Sequence, residues 1–400
     1  MKKQSQQLGV GGVDISAKEK KYVLDVLNNG RLSYGPYSEK FEKSFARAHD
    51  CKFAIFVNSG TSALRLAVAT LKDLEHWQDG DEIICPAVTF VASSNVVIMN
   101  GLKPVFVDVD SKTYNIDPQK IEEKITKRTR AIMVVHLFGQ PAEMDPIMKL
   151  AKKYKLKIIE DSCETVMVKY KGKPVGSFGD ISCFSTYIAH ILVTGVGGLA
   201  CTNNKKYALK IKSLANHGRD GIYMSMDDDK NLNPARLSKV VSRRFRFVSF
   251  GYSFRATEME AALGLAQMEN KDKILKKRQE NARYLLAQLK VFEKWLQLPS
   301  WPEYVTHAFM MFPIVIKKRA GISKKKLVMY LEKLNVETRD MLPLINQPIY
   351  RKTFGNLESK FPVAKWINKN GFYIGCHQQL SKADLDYIVK CFRGFNWPNN

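Results

Sequence analysis

The sequence predicts an α/β fold, because short β-branched segments alternate with helical patterns between about residue 50 and residue 200. Strands separated by helices of this length form a parallel sheet covered on both faces, since parallel strands need crossover connections. The length of 400 residues exceeds what one compact core usually holds, so we expect a large domain and a smaller one. Ligands bind beyond the carboxyl ends of the strands in such sheets, and we expect the functional residues there.

The predicted elements follow one another in a regular order. Residues 1–40, which include the NGRLSYGP segment, are expected to fold over the rest of the protein. The predicted strand–helix pairs are Phe53–Val57 with a helix from Thr61, Glu82–Cys85 with one near Ala92, Val105–Val107 with Asp117–Ile125, Ala131–Val135 with one near Pro146–Tyr154, and Lys157–Glu160 before the acidic EDSCE segment. The strand Ile181–Phe184 then leads to a glycine-rich turn.

The C-terminal part of the chain has a different, helix-rich pattern. Its predicted elements are a long helix from Thr257 to about Leu289, an apolar segment over Ala308–Ile316, a helix over Lys324–Leu334 and a closing helix over Lys382–Phe392. We therefore predict that residues 1–255 form an N-terminal segment and a large domain. Residues 256–400 would form a connector helix and a smaller α+β domain.

Composition and charge exclude several classes of function. The net charge of +24 attracts anionic partners, but only the SRRFRF segment combines basic and aromatic residues, so we expect no nucleic-acid binding. The seven cysteines have no ligand-like spacing, which argues against a metal site. No apolar run of about 18 residues predicts a membrane span, and MKKQSQQLGVGGVDIS has no apolar h-region. The expected location is the cytoplasm.

A possible phosphate site lies in the NSGTSAL segment. A strand ends at Asn58, Gly60 permits a tight turn, and Thr61 and Ser62 open a helix. The N-terminus of a helix offers unpaired N–H groups and a positive dipole end, which suit a phosphate. An ordinary N-cap explains this segment equally well.

Three further segments place reactive side chains after strands. In IIEDSCET, Asp161 and Glu164 follow an apolar strand, where a carboxylate could hold a protonated ring nitrogen or lie in a solvated loop. In CPAVTFVAS, Phe90 could stack on a flat ring or belong to the core. In FGDISCFSTYIAHILVTGVGGLACT, one strand leads to Ser185 and then to His190, which alone would suggest a buried core histidine.

In this order along the chain, the segments resemble the DegT/StrS-like sugar aminotransferases. The similarity extends over FEKSFARAHDCKFAIFVNSGTSAL, VVHLFGQPAEMD, FGYSFRATEMEAALGLAQ and VETRDMLPL. It implies an aspartate-aminotransferase-like fold (fold type I) with a mostly parallel seven-stranded sheet, pyridoxal phosphate (PLP) as cofactor and a homodimer with shared active sites. The resemblance implies that the cofactor is bound by Gly60, Thr61, Ser62, Phe90, Asp161, Glu164, Ser185 and Ser253.

His190 departs from the aminotransferase pattern, because it occupies the position of the lysine that bonds to the cofactor. Imidazole cannot form a Schiff base but can act as a base near neutral pH. Together, Asp161-x-x-Glu164 and Ser185-x4-His190 resemble the histidine-containing GDP-4-keto-6-deoxymannose 3-dehydratase branch. This implies glutamate-driven conversion of PLP to pyridoxamine phosphate (PMP), and then C3 dehydration of a nucleotide-linked 4-keto-6-deoxyhexose for surface polysaccharide, with His190 as the catalytic base.

Two alternatives remain open at this point. The chain could be an aminotransferase whose lysine is replaced by histidine, or a member of the family without catalysis. A related branch of the family, a CDP-hexulose dehydrase, uses an iron–sulfur cluster bound by cysteines downstream of the glycine-rich turn. The resemblance to that branch is disfavoured because no cysteine lies between Cys201 and Cys376. Two further departures, Val196 in the GxGG turn and Ser253 in place of an asparagine, affect the expected cofactor contacts. The nucleotide and the hexose are not specified, and the residues predicted to bind the substrate are Arg31, Tyr34, His217, Arg219 and Arg339.

Overall fold

The computed structural model describes residues 6–220, 232–243 and 245–398. Their strands are β1 (Phe53–Val57), β2 (Glu82–Pro86), β3 (Lys103–Val107), β4 (Thr129–Val135), β5 (Lys157–Asp161), β6 (Lys169–Tyr170), β7 (Lys173–Pro174), β8 (Ile181–Ser185), β9 (Gly198–Thr202), β10 (Leu296–Gln297), β11 (Phe312–Ile316), β12 (Arg339–Asp340) and β13 (Gly371–Ile374). Their α-helices are α1 (Ala17–Asn28), α2 (Pro36–Ala48), α3 (Gly60–Leu74), α4 (Ala92–Met99), α5 (Met144–Tyr154), α6 (Lys205–Ala215), α7 (Pro234–Arg243), α8 (Glu258–Glu269), α9 (Lys271–Leu289), α10 (Lys324–Lys333), α11 (Pro348–Phe354), α12 (Pro362–Asn370) and α13 (Lys382–Arg393).

A seven-stranded sheet in the order β1-β9-β8-β5-β4-β2-β3 organises the larger part of the chain. Every neighbouring pair is parallel except the two that β9 forms with β1 and β8. The register pairs Val135 with Asp161 and Asp161 with Cys183, so the carboxyl ends of three central strands lie side by side. The predicted α/β fold with a mostly parallel sheet is therefore confirmed, and its carboxyl edge collects the strand-end residues.

Burial follows the strand pattern. Strands β2, β8 and β9 are buried along their whole length, as apolar strands of a sheet covered on both faces are. A four-stranded antiparallel sheet in the order β10-β11-β13-β12 packs with α9, α10 and α13 around a second apolar cluster. The division into two domains at residue 255 stays a prediction.

Two predicted helices differ from the structure. Residues 117–125 form two short 3₁₀ turns, Pro118–Lys120 and Glu122–Lys124, rather than an α-helix. Ile121 is the only fully buried side chain of the segment, so little packing stabilises an α-helix there. The long helix predicted over 257–289 is two helices, since Asn270 ends α8 with its N–H on the carbonyls of Gln267 and Met268. Asparagine favours such turn conformations over a helix interior.

Buried neutral histidines make stability depend on pH. His49 is enclosed: its Nδ1 donates to the Phe45 carbonyl (3.0 Å) and its Nε2 accepts the Met167 N–H (3.2 Å). Burial lowers its pKa to about 4, and burial likewise lowers the pKa of His307 to about 3. Between pH 6.5 and 4 the unfolded chain binds protons that the folded chain does not, so this contribution to stability is present above pH 6.5 and is lost as the pH falls.

We expect His49→Asn to reduce the pH dependence of the unfolding free energy between pH 4 and 6.5 by up to about 1.4 kcal/mol per pH unit. Urea denaturation of the wild type and the variant at several pH values measures that slope separately from the change in stability. The surface variant His76→Asn is the matched control and should keep the wild-type slope. Equal slopes for the His49 variant and the wild type would contradict the expectation.

Candidate active site

A cavity of about 430 Å³ lies at the carboxyl edge of the seven-stranded sheet and reaches the first turn of α3. Its walls bring together residues from Val10 to Tyr373, including residues at or after the ends of β1, β2, β5 and β8. The residues predicted from the sequence that line this cavity are Gly60, Thr61, Phe90, Asp161, Glu164, Ser185 and His190.

The turn from β1 to α3 forms one end of the cavity. The Ser59 hydroxyl caps the helix by accepting the Ser62 N–H (3.0 Å), so the N–H groups of Gly60 and Thr61 are left for a ligand. A Cβ at Gly60 would lie 2.8 Å from both the Cys163 Sγ and the Ser185 Cβ, which explains the glycine. This close approach places the positive end of α3 beside the Ser185 side chain, an arrangement that suits a phosphate.

Ser62 differs from the prediction. Its side chain bonds to the Ser59 hydroxyl (2.9 Å) and does not line the cavity.

We expect Gly60→Ala to lower the affinity for PLP by about tenfold or more, since overpacking costs about 1–3 kcal/mol. The matched variant Ser62→Ala should leave the affinity unchanged. Fluorescence titration with PLP measures both, and equal affinities for the wild type and the Gly60 variant would exclude the close-packed turn as the phosphate site.

Asp161 is the last residue of β5 and is buried at the floor of the cavity. Its carboxylate accepts the Ser93 hydroxyl (2.6 Å) and the Cys163 N–H (3.2 Å). Burial raises its pKa, although these hydrogen bonds partly oppose the shift. No lysine or arginine among the described residues pairs with this carboxylate, so a protonated ring nitrogen would supply the missing cation.

Glu164 lies beyond Asp161 and also lines the cavity. Its Oε2 accepts the Phe138 N–H (2.7 Å). Burial raises its pKa to about 8, and the nearby Asp161 charge adds to the shift. The carboxyl group is therefore mostly protonated at neutral pH and can donate a hydrogen bond to a ligand oxygen.

His190 lines the same cavity, five residues after the end of β8. Its backbone N–H donates to the Tyr187 carbonyl (2.8 Å). The Nδ1 of its ring has no hydrogen-bond partner within the described ranges. Burial lowers the pKa of the imidazole to about 4. The ring is therefore neutral at pH 7 and can accept a proton. No lysine is among the residues that line the cavity.

Phe90 and Ser185 complete the predicted set. The Phe90 side chain is 57% exposed although it follows a fully buried strand, so its ring is available to a flat ligand rather than belonging to the core. Ser185 ends β8, and its hydroxyl accepts the Tyr187 N–H (3.3 Å). The volume, the helix N-terminus, the uncompensated carboxylate and the exposed ring together fit a phosphorylated pyridine ring.

The other predicted residues do not line this cavity. Tyr34 donates its hydroxyl to the Glu42 carboxylate (2.6 Å), and the Arg31 guanidinium contacts the Tyr34 carbonyl (3.2 Å). Arg339, on β12, forms an ion pair with Glu337.

A second group of predicted residues lies around the 216–255 part of the chain. The Arg255 guanidinium lies 3.3 Å from the Ser253 hydroxyl and 3.4 Å from the His217 Nε2. Arg219 lies over the rings of Phe245 and Phe247. Part of the SRRFRF segment, Arg244, falls outside the described residues.

Several residues of the site were missed from the sequence. Ser93, in the first turn of α4, donates a hydrogen bond to Asp161 but does not line the cavity, and its only signal was its place in the VTFVASS segment. The cavity residues that were not predicted are Val10, Ser59, Leu64, Thr89, Ala92, Val135, Leu137, Cys163, Tyr187, Ala189, Met310, Met311, Leu342 and Tyr373. Val10, Met310, Met311, Leu342 and Tyr373 come from distant parts of the chain that carry no local pattern.

In the described part of the chain, no group of three or more histidine, cysteine, aspartate or glutamate side chains is placed to hold a metal ion. Across residues 6–220, 232–243 and 245–398, no helix is both long enough and apolar enough to cross a membrane.

Comparison with known proteins gives matches along nearly the whole chain. The sequence model of the DegT/DnrJ/EryC1/StrS aminotransferase family matches residues 13–393. The lipopolysaccharide biosynthesis protein RfbH of Salmonella typhimurium is 32% identical over 96% of this chain and 90% of its own length. The GDP-perosamine synthase of Caulobacter vibrioides is also 32% identical, over 96% of each chain.

A solved structure gives the same result for the fold. GDP-4-keto-6-deoxymannose-3-dehydratase with a trapped PLP–glutamate geminal diamine superimposes with a TM-score of 0.85, at 27% identity over 96% of this chain and 99% of that chain. The aspartate-aminotransferase-like fold (fold type I) predicted from the sequence is thereby confirmed.

Proposed function

Since the chain belongs to the DegT/DnrJ/EryC1/StrS aminotransferase family, we propose that it removes the C3 hydroxyl of a nucleotide-linked 4-keto-6-deoxyhexose with PLP and PMP. The family comprises PLP-dependent aminotransferases and 3-dehydratases of nucleotide-sugar biosynthesis. Dehydration is the finer assignment and is the proposal. A cytoplasmic location and a role in surface-polysaccharide synthesis stay predictions with it.

The observation that carries the proposal is a neutral histidine in a cavity whose lining contains no lysine. An amino group at this position would bond to the cofactor aldehyde and return a proton to complete amino transfer. Imidazole has no primary amine and forms no imine with an aldehyde, so His190 can act only by proton transfer. In this proposal the electron pair released when His190 removes a proton expels the C3 hydroxyl, which gives dehydration in place of amino transfer.

The side chains that line the cavity have separate tasks in this proposal. Bound PLP supplies a ring that withdraws electrons from the reacting carbon. Asp161 holds the proton on the ring nitrogen, and Gly60, Thr61 and Ser185 hold the phosphate. Phe90 covers one face of the ring. His190 accepts a proton at an imidazole nitrogen, and Glu164 donates a hydrogen bond to an oxygen of the ring or its substituents.

L-glutamate is proposed as the amino donor. A PLP–glutamate adduct was trapped in the solved 3-dehydratase structure, which supports the same donor here. Hydrolysis of the dehydrated sugar, which still carries this amino nitrogen at C4, would release ammonia and give the 4-keto-3,6-dideoxy product. The conversion of PLP to PMP by glutamate is therefore the first half of the proposed reaction.

Absorbance spectroscopy tests the proposal. We expect the purified protein with added PLP to change from an aldehyde band to an amine band when L-glutamate is added. Borohydride treatment before glutamate should leave the intact protein mass unchanged, because no lysine reaches the cofactor. The glutamate-treated enzyme should then release ammonia from a nucleotide-linked 4-keto-6-deoxyhexose.

Each other outcome identifies one of the alternatives. A covalent adduct fixed by borohydride would mean that a lysine bonds to the cofactor, which favours the aminotransferase and contradicts the role of His190. Binding of PLP without any effect of glutamate or keto sugar would favour a member without catalysis.

A homodimer with shared sites is proposed as well. Ser253, His217 and Arg255 form a polar group that does not line the cavity of its own chain, which leaves it available to a second copy. Sedimentation equilibrium tests the dimer, and a monomer at micromolar concentration would contradict it. Substrate contacts by Arg31, Tyr34, Arg219 and Arg339 stay predictions.

A further inference from the structure

Arg278, on α9, is a fully buried cation with no counter-ion. Its side chain has no exposed surface, and no carboxylate of the described residues pairs with it. Burial lowers its pKa to about 10, so the guanidinium still carries its charge at neutral pH. A buried charge without a partner is costly, which calls for a reason beyond stability.

The guanidinium bonds to peptide carbonyls on two walls of the cavity. Its Nη1 donates to the carbonyls of Phe309 (3.2 Å) and Met310 (2.9 Å). Its Nη2 makes a longer contact of 3.4 Å with the carbonyl of His190. His190 and Met310 both line the cavity. Because the planar guanidinium of Arg278 contacts the carbonyls of both residues, it fixes the distance between their backbones.

The wall at residues 307–311 needs such support. Phe309 has φ +49°, a left-handed conformation that costs energy for a residue with a Cβ. Its N–H donates to the His307 Nδ1 (2.9 Å), and the Gln279 amide donates to the His307 carbonyl (3.0 Å). Two neighbouring residues of α9 thus hold one strained segment beside the cavity.

We propose that Arg278 is a positioning residue that holds His190 at a fixed distance from the wall formed by residues 307–311. This inference rests on the proposed function, because it assigns Arg278 to the placement of the proposed base. Arg278 acts only through the peptide groups, since it does not line the cavity.

The charge of Arg278 has a second effect on His190. Burial is the larger cause of the low pKa of the imidazole, and the positive charge of Arg278 opposes a second positive charge close by. Of the described titratable and charged groups, Asp161, Cys163, Glu164, Tyr187 and Tyr373 line the same cavity as the imidazole, and Arg278 contacts the His190 carbonyl. Removing the Arg278 charge from this set favours protonation of the imidazole.

The test compares Arg278→Gln and Arg278→Lys with the control Arg283→Gln, which removes one charge from an exposed position of the same helix. NMR titration measures the pKa of His190, with His190→Asn to assign the signal. Steady-state kinetics with the keto sugar measures kcat and KM, and circular dichroism of bound PLP reports the geometry of the cavity walls.

We expect Arg278→Gln to raise the pKa of His190 by about half a unit or more, whereas Arg278→Lys should keep it near the wild-type value. Both variants should lower kcat by about 10- to 100-fold, because an ammonium cannot span three carbonyls, while KM changes by less than about threefold. The control should match the wild type in all three measurements.

The proposal is overturned if the folded Arg278→Gln protein keeps the wild-type pKa of His190 and the wild-type dichroism of bound PLP. If that variant does not fold, Arg278→Lys decides: unchanged kcat and unchanged dichroism would overturn the positioning role. The titration and the dichroism need no turnover. A wild type that dehydrates no keto sugar therefore refutes the proposed function separately from the role of Arg278.

Discussion

Replacement of His190 with asparagine is expected to lower kcat for loss of the C3 hydroxyl by about 100- to 10,000-fold, the usual contribution of a general base. Asparagine nearly matches the size of the imidazole and keeps the polarity of the cavity wall, but it cannot accept a proton. Because burial lowers the pKa of His190 to about 4, the wild-type base stays neutral and active as the pH falls from 7 to 5. Ammonia release from the keto sugar, followed over that pH range, measures both effects.

The affinity for PLP should be nearly unchanged in this variant, because the phosphate is assigned to the first turn of α3 and to Ser185. The matched control is His76→Asn at the surface, where the positive φ of 55° is well tolerated by asparagine. A His190→Asn enzyme with full activity would show that another group removes the proton. A His190→Asn enzyme that binds no PLP would show that the histidine acts in binding instead.

The second large effect is expected for Asp161→Asn. The amide cannot stabilise a protonated ring nitrogen, so the ring loses much of its electron-withdrawing capacity. A hydrogen bond to a charged group contributes about 1.5–3 kcal/mol, which corresponds to a loss of up to about 100-fold in kcat. Single-turnover absorbance measurements with glutamate and PLP would detect this loss in the first half-reaction, without any need for the sugar.

Ser93→Ala provides the graded comparison for Asp161. It keeps the carboxylate but removes the 2.6 Å hydrogen bond that orients it, so we expect a loss of about fivefold, corresponding to about 1 kcal/mol. If Asp161→Asn and Ser93→Ala reduced the rate equally, the charge of Asp161 would not be what the ring nitrogen requires.

The site could be predicted from the sequence to the extent that it depends on strand ends. Asp161 and Ser185 end their strands, and Gly60 opens the helix after its strand, so a local pattern locates each of them. The parallel sheet then brings them together without further information. His190 was not found in this way: its local pattern suggested a core histidine, and only the order of the segments and the family resemblance marked it as a site residue.

The residues that were missed depend on packing between distant segments. Arg278 lies in a lysine-rich helix whose pattern gives no sign that this one cation is buried. Val10 reaches the cavity from the N-terminal segment, and its position is set by contacts such as that of its N–H with Glu337 (2.8 Å). Ser62 was assigned to the cofactor because the pattern marks the helix start but not the direction in which each hydroxyl points.

The antiparallel strand β9 has a consequence for how this fold changes its chemistry in evolution. Ser185 and Gly198 are paired in adjacent strands, so His190 lies in the connection between them and belongs to neither strand. A change of the side chain at position 190 therefore removes no hydrogen bond between the two strands. Under the proposed function, an exchange of lysine for histidine at this position changes the reacting group while the sheet that carries the rest of the site is kept.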